Sequence, residues 1–156
     1  MKLLAVIADS VPFKPNFSKL ASMIESSKNS IADYIYYLEK AGMISQLREN
    51  ARGLGVLGKV DKIYLDNTNL AFAISETIPD IGNIRETVFL NQMRVKNRIF
   101  ASSRSDFMID DMTFEVGGKS KNRKQIYDLG KSFIVKDNIE YGHQNTIPLW
   151  AFGLNY

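Results

Sequence analysis

The chain has 156 residues, 45% of them hydrophobic and 24% charged, with a formal net charge of +3, which is enough apolar material for one domain or two small ones. It has no cysteine and a single histidine, His143, which excludes disulfides, thiolate metal sites, a cysteine nucleophile and a multi-histidine metal site. Chemistry is left to carboxylates, lysine, serine and tyrosine.

Leu3, Leu4, Ile7 and Ala8 make one buried side of a first predicted helix, Lys2 to Asp9, which Pro12 and Pro15 bring to an end. That apolar run stops at Asp9, well short of a membrane span and of a signal-peptide core, so the expectation is a cytoplasmic protein with no membrane partner. Asn16 is an N-cap for a second helix, in which Phe17, Leu20, Ala21 and Ile24 recur at helical spacing. After the polar break Ser26-Ser27-Lys28-Asn29, Ile31, Tyr34, Ile35, Leu38 and Ala41 repeat the stripe, and Gly42 supplies a left-handed stop. Ile44 and Leu47 open a strand, and Lys62-Ile63-Tyr64-Leu65 is its hairpin partner across a polar, glycine-rich connection, Glu49 to Asp61. Three helices and a hairpin of this kind form a winged helix-turn-helix, a fold that presents its second long helix to a partner. On that helix the expected outer face includes Asn29, Ser30, Asp33, Tyr37 and Lys40. Asn and Lys suit base edges and phosphates, whereas Asp33 repels a DNA backbone.

Asp66-Asn67-Thr68 cap a short helix, Asn69 to Ile74. The stretch Glu76 to Asn83, with Pro79 and Gly82, marks the expected boundary, giving a winged-helix domain over 1–77 and a second domain over 78–156. In the second, a helix is predicted over Ile84 to Val95. Strands follow at Ile99 to Ser102, Phe107 to Ile109, Thr113 to Val116 and Phe133 to Val135, with a further helix over Arg123 to Leu129. The apolar tail Thr146 to Tyr156 packs on this small α/β unit.

Gly53, Gly58 and Lys59 have the spacing of a phosphate-binding loop. Val60 stands where that loop needs Ser or Thr, and a strand signal follows where a helix must begin, so no nucleotide site is expected there. A second constellation carries more chemistry. Glu86, Asp106 and Glu115, with Lys119 nearby, are residue types that hold divalent ions and stabilise a phosphate under attack. In a strand, a lysine two positions after Glu115 would share its face, but that position is Gly117; Lys119 has the right parity yet lies about 13 Å farther along an extended chain. Lys119, Lys121, Arg123 and Lys124 also form a basic cluster within six residues, suited either to solvent or to phosphates.

The runs Phe13-Lys14-Pro15-Asn16-Phe17-Ser18-Lys19-Leu20-Ala21, Ala32-Asp33-Tyr34, Tyr37-Leu38-Glu39-Lys40-Ala41-Gly42-Met43-Ile44 and Tyr64-Leu65-Asp66-Asn67-Thr68-Asn69-Leu70 resemble the C-terminal half of a family of bacterial AAA+-type ATPases. There a nucleotide-binding domain is followed by a winged helix and a small restriction-endonuclease-like domain. Arg85-Glu86-Thr87-Val88-Phe89, Ser105-Asp106-Phe107 and Phe114-Glu115-Val116-Gly117-Gly118-Lys119 are similar, in order, to that last domain. The resemblance implies an α+β/α/β chain with Glu86, Asp106, Glu115 and Lys119 at a nuclease-like site, and Mg²⁺ on Asp106 and Glu115. It also puts ATP binding in a domain outside this sequence. The usual strand motif, glutamate then lysine two positions on, is broken at Gly117.

Three classes of function follow. The leading expectation is a DNA- or protein-binding module of such an ATPase, without efficient catalysis of its own, using Asn29, Ser30, Tyr37, Lys40, Lys121, Arg123 and Lys124 on nucleic acid. The alternatives are a Mg²⁺-dependent nuclease and a pure protein assembly domain.

Overall fold

The computed structural model describes residues 2–50, 59–122, 126 and 128–154. It is a mixed α+β chain in which seven-residue and thirteen-residue helices frame a two-stranded hairpin and a five-stranded mixed sheet.

Helices α1 (Lys2–Ala8), α2 (Phe17–Met23) and α3 (Lys28–Lys40) come first. The Asn16 side chain accepts from the Lys19 N–H and the Ser27 hydroxyl from the Ser30 N–H, so each of the two later helices begins where a polar side chain satisfies a free amide. Gly42 has φ +66°, the left-handed turn expected after α3. Strands β1 (Ile44–Arg48) and β2 (Val60–Leu65) pair antiparallel, and Phe13 adds a bridge to Ile63. Leu3, Leu4, Ile7, Leu20, Ile31, Ile35, Ile44, Ile63 and Leu65 pack into a first core, which α4 (Thr68–Ile74) closes through Ala71. The tip of the hairpin, with Gly53 and Gly58, lies outside the described residues.

Helix α5 (Ile81–Met93) begins three residues before its expected start, because the Asp80 carboxylate accepts from the N–H groups of Gly82 and Asn83. Its Phe89 is completely buried and touches the rings of Phe107, Phe114 and Phe152 at centroid distances of 5.1, 5.3 and 4.9 Å. Those rings come from β4 (Phe107–Ile109), β5 (Met112–Gly117) and the terminal 3₁₀ turn Leu149–Leu154. The sheet order is β3 (Ile99–Ala101), β4, β5, β6 (Ser132–Lys136), β7 (Thr146–Pro148). The first three strands run antiparallel, and the β5–β6 and β6–β7 pairs are parallel. Strand alternation puts Phe114 and Val116 into the second core and turns Glu115 to the opposite face. The helix expected over Arg123 to Leu129 falls mostly outside the described residues.

The hairpin belongs to both halves. Ile44, Ile63 and Leu65 join the first core, while Leu47 and Tyr64 join the second, with the Tyr64 ring 5.9 Å from that of Phe107.

Candidate functional site

The carboxylate cluster forms where the hairpin, α5 and the β4–β5 pair meet. Glu86 points from α5 toward β2, where the Tyr64 hydroxyl donates to its Oε2 at 2.8 Å and the Lys62 ammonium donates to the same oxygen at 3.2 Å. Lys62 also lies 3.7 Å from Asp106 Oδ1. The other Asp106 oxygen accepts from the Val116 N–H at 2.9 Å, which fixes the carboxylate at the start of β4 against the end of β5. On β5, Glu115 Oε1 meets the Lys121 ammonium at 2.5 Å. Glu115 Oε2 is buried and, among the described residues, makes no hydrogen bond. An unpartnered carboxylate oxygen in a side chain only 3% exposed is costly, and such an expense is common where a ligand completes the arrangement.

Lys121 occupies its place because position 117 is glycine. A β-carbon at Gly117 would come within 2.7–2.9 Å of the Lys121 stem. The lysine that the strand motif lacks therefore returns from four residues on and lies over the vacant face of the strand. Lys119 is exposed, and its main-chain carbonyl accepts from the Lys136 ammonium. Lys121, rather than Lys119, is the lysine that reaches Glu115, and it is drawn out of the expected basic patch. Arg123 and Lys124 lie outside the described residues.

The electrostatics fit a crowded, partly dry cluster. Burial pushes the Glu86 carboxyl above its ordinary range and the Asp106 charge pushes it further, against the pull of Lys62 and Tyr64. Burial likewise raises Glu115, with Lys121 opposing and Asp106 adding to the rise. For Lys121, burial works to lower the value, but the hydrogen bond and charge of Glu115 outweigh it and the net direction is up. Tyr64 is pushed far up, by burial first and by Glu86 second, so it stays a neutral hydrogen-bond donor. Neither neighbouring arginine caps the cluster: Arg85 pairs with Asp137 at 2.9 Å and Arg104 with Asp128 at 2.5 Å.

Asp106, Glu115 and Lys121 open onto a cleft of about 560 Å³ shared with Ser103, Arg104 and Ser105. Among the described residues, no group of three or more His, Asp or Glu side chains is spaced to hold one metal ion together. Two carboxylates do face the cleft. Mg²⁺ is commonly held by only one or two, with waters and phosphate oxygens in its other positions. Asp106 and Glu115 are the carboxylates such an ion would draw on; Glu115 Oε1 is engaged by Lys121 and its Oε2 is buried, so an ion there would have to displace the lysine or shift the side chain.

The candidate nucleic-acid residues of α3 are dispersed by comparison. Asn29, Tyr37 and Lys40 are exposed, Ser30 is half-buried against the Ser27 cap, and Lys40 lies 5.6 Å from the Tyr36 ring centroid. The residues missed from the sequence are Lys62 and Tyr64. They sit at alternate positions of β2, a spacing that puts both on one side of a strand, but nothing local tied that side to Glu86.

Compared with known proteins, the chain matches no family model, no curated protein and no solved structure. Among the described residues, no helix is long and apolar enough to cross a membrane.

Proposed function

We propose that the chain is a nucleic-acid-processing module: a winged helix joined to a restriction-endonuclease-like domain whose cleft binds a phosphodiester and hydrolyses it with Mg²⁺. The observation that carries this reading is the Lys121 ammonium on Glu115 beside Asp106, its stem lying over Gly117. That arrangement supplies the cation absent from the strand motif. A buried group of acids that repel one another is unfavourable for the fold alone, which makes a purely structural role the weaker explanation.

In the proposed reaction Asp106 and Glu115 would hold the metal. When bound, it would supply Lewis acidity at a phosphoryl oxygen and lower the pKa of a water. Lys121 stabilises the negative charge that grows on the non-bridging oxygens. Val116 keeps Asp106 in place through its N–H. The α3 face, with Asn29, Tyr37 and Lys40, contacts duplex DNA or a protein partner. The resemblance to AAA+-type C-terminal regions gives this contact its setting, next to an ATPase domain outside this sequence.

The test is cleavage of single- and double-stranded DNA and RNA with Mg²⁺ or Mn²⁺. Cleavage is expected to need metal and to disappear in Asp106→Ala and Glu115→Ala, while Lys121→Ala loses about 10²- to 10³-fold. Metal-independent cleavage, or cleavage that survives both carboxylate changes, would overturn the hydrolytic reading. DNA binding that weakens steeply with salt and with Lys40→Ala, without any cleavage, would leave the module as a binder only.

A further inference from the structure

We infer that a groove between α2, the start of α3 and the hairpin, edged by Lys14, Lys28, Arg48 and Lys59, is a track for the sugar-phosphate backbone of duplex DNA. The inference rests on the proposed reading of the chain as a nucleic-acid-processing module, and it names a surface that holds the backbone away from the carboxylate cleft.

The four cations come from separate places in the chain, and no basic run marks them in the sequence. Lys14 precedes α2, Lys28 opens α3, Arg48 ends β1 and Lys59 stands just before β2. All four line one open groove of about 830 Å³, and no acid among the described residues lines it with them. Its edges are held in place. Phe13, next to Lys14, exchanges two backbone hydrogen bonds with Ile63, and the Glu49 N–H donates to the Lys59 carbonyl at 3.2 Å across the hairpin. Two acids reach in from outside: Asp61 Oδ1 accepts from the Lys14 ammonium at 3.2 Å, and Glu39 lies 3.8 Å from an Arg48 nitrogen. Lys28 and Lys59 are exposed and form no ion pair among the described residues. Two uncompensated positive charges thus stand beside two matched ones, and a polyanion relieves their repulsion while releasing its own counterions.

The lining favours a duplex backbone over other polyanions. Phe17, the one aromatic among the groove's described residues, is already packed against the first core, so the groove lacks the stacking platform that holds single strands. Pro15 and Val60 give the uncharged sugar edges an apolar floor. An acidic protein segment fits less well, because carboxylates favour the two-pronged arginine fork and three of these four cations are lysines, point charges that phosphate accepts. Lys40 lies roughly 18 Å farther along α3 than Lys28, so this contact is separate from the one assigned to the α3 face.

Fluorescence anisotropy of a labelled short DNA duplex, titrated with the full chain at several KCl concentrations, tests this directly. The slope of log affinity against log salt is expected to shrink by about one for Lys28→Ala, by about one for Lys59→Ala and by about two for the double variant. Lys28→Arg with Lys59→Arg should keep the parent slope. Asp61→Asn, which frees Lys14 for a phosphate, should tighten binding and steepen the slope. Both lysines are exposed, so the variants should keep the circular dichroism of the parent. A parent slope retained in the double variant, with Lys40→Ala alone weakening binding, would overturn the inference and leave DNA on the α3 face only. Poly-glutamate bound as tightly as the duplex, and lost equally in the double variant, would overturn it in favour of an acidic protein partner. A parent that binds no duplex would overturn it together with the nucleic-acid reading. Binding that depends on Lys28 and Lys59 without any cleavage would uphold it and defeat only the hydrolytic reading.

Discussion

At the scale of single residues the cluster works through opposed forces on each acid. Glu86 is held by Tyr64 and Lys62, yet burial and Asp106 win, and its proton affinity rises. Glu115 moves the same way. A carboxyl whose folded-state value lies above its unfolded one binds its proton more tightly in the folded state. Its contribution to stability is therefore complete below the ordinary carboxylate value and is lost as pH rises through the raised one. The thermal midpoint should fall as pH increases through the range just above the usual glutamate value of 4.5, and Glu86→Gln should flatten that fall. Asp111 and Asp128, held down by Lys131 and Arg104, act with the opposite sign: their contribution is present above the ordinary aspartate value of 3.8 and is lost as pH falls below it. Carbon-detected titration of the Glu86 carboxyl checks the cause. Asp106→Asn should move its midpoint down, and an unchanged midpoint would leave Asp106 without the influence ascribed to it.

Within β5 the decisive position is Gly117, whose missing side chain makes room for Lys121. Gly117→Ala leaves the strand backbone unstrained but drives a methyl into the Lys121 stem. The lysine must leave Glu115, whose proton affinity should then rise further, and cleavage should drop by about 10²-fold, as displacement of a reacting group by an ångström commonly does. Full activity in Gly117→Ala would show that Lys121 is not the site's lysine. The same strand marks what was legible in the sequence. The strand expected over Thr113 to Val116 is β5, one residue longer at each end, and the caps Asn16, Asn67 and Gly42 mark helix ends to within a residue or two. Gly82 masks the cap at Asp80, because glycine disfavours a helix interior whereas a capped first turn tolerates it. Lys121 lies in a run of basic residues, and a side chain that folds back over a glycine leaves no periodic trace.

Across the whole molecule the hairpin decides how the halves behave. Tyr64 and Leu47 insert into the second core, and Ile84 of α5 leans on the first. Just beyond β2, Asp66 receives both terminal nitrogens of Arg94 at 2.7 and 2.8 Å, while Asn91 donates to its carbonyl. A fork of this kind is more directional than a single ion pair. The sequence places a boundary near residue 77, but the two cores do not divide there: Leu47 and Tyr64 belong to the second and Ile84 packs on the first. It gave no sign that one β-strand feeds both, because alternation along β2 looks identical whether its faces meet one core or two. Such a junction should make the chain unfold in a single cooperative transition in urea, monitored alike by far-ultraviolet dichroism and by Trp150 fluorescence. Arg94→Ala and Asp66→Ala should each cost about 2 kcal/mol, and the double variant should cost less than their sum, since each partner has lost its value once the other is gone. Two separate transitions in the unaltered chain, or strict additivity in the cycle, would show that the halves fold independently. In that case Lys62 would reach Glu86 only through chance alignment of two loosely joined units.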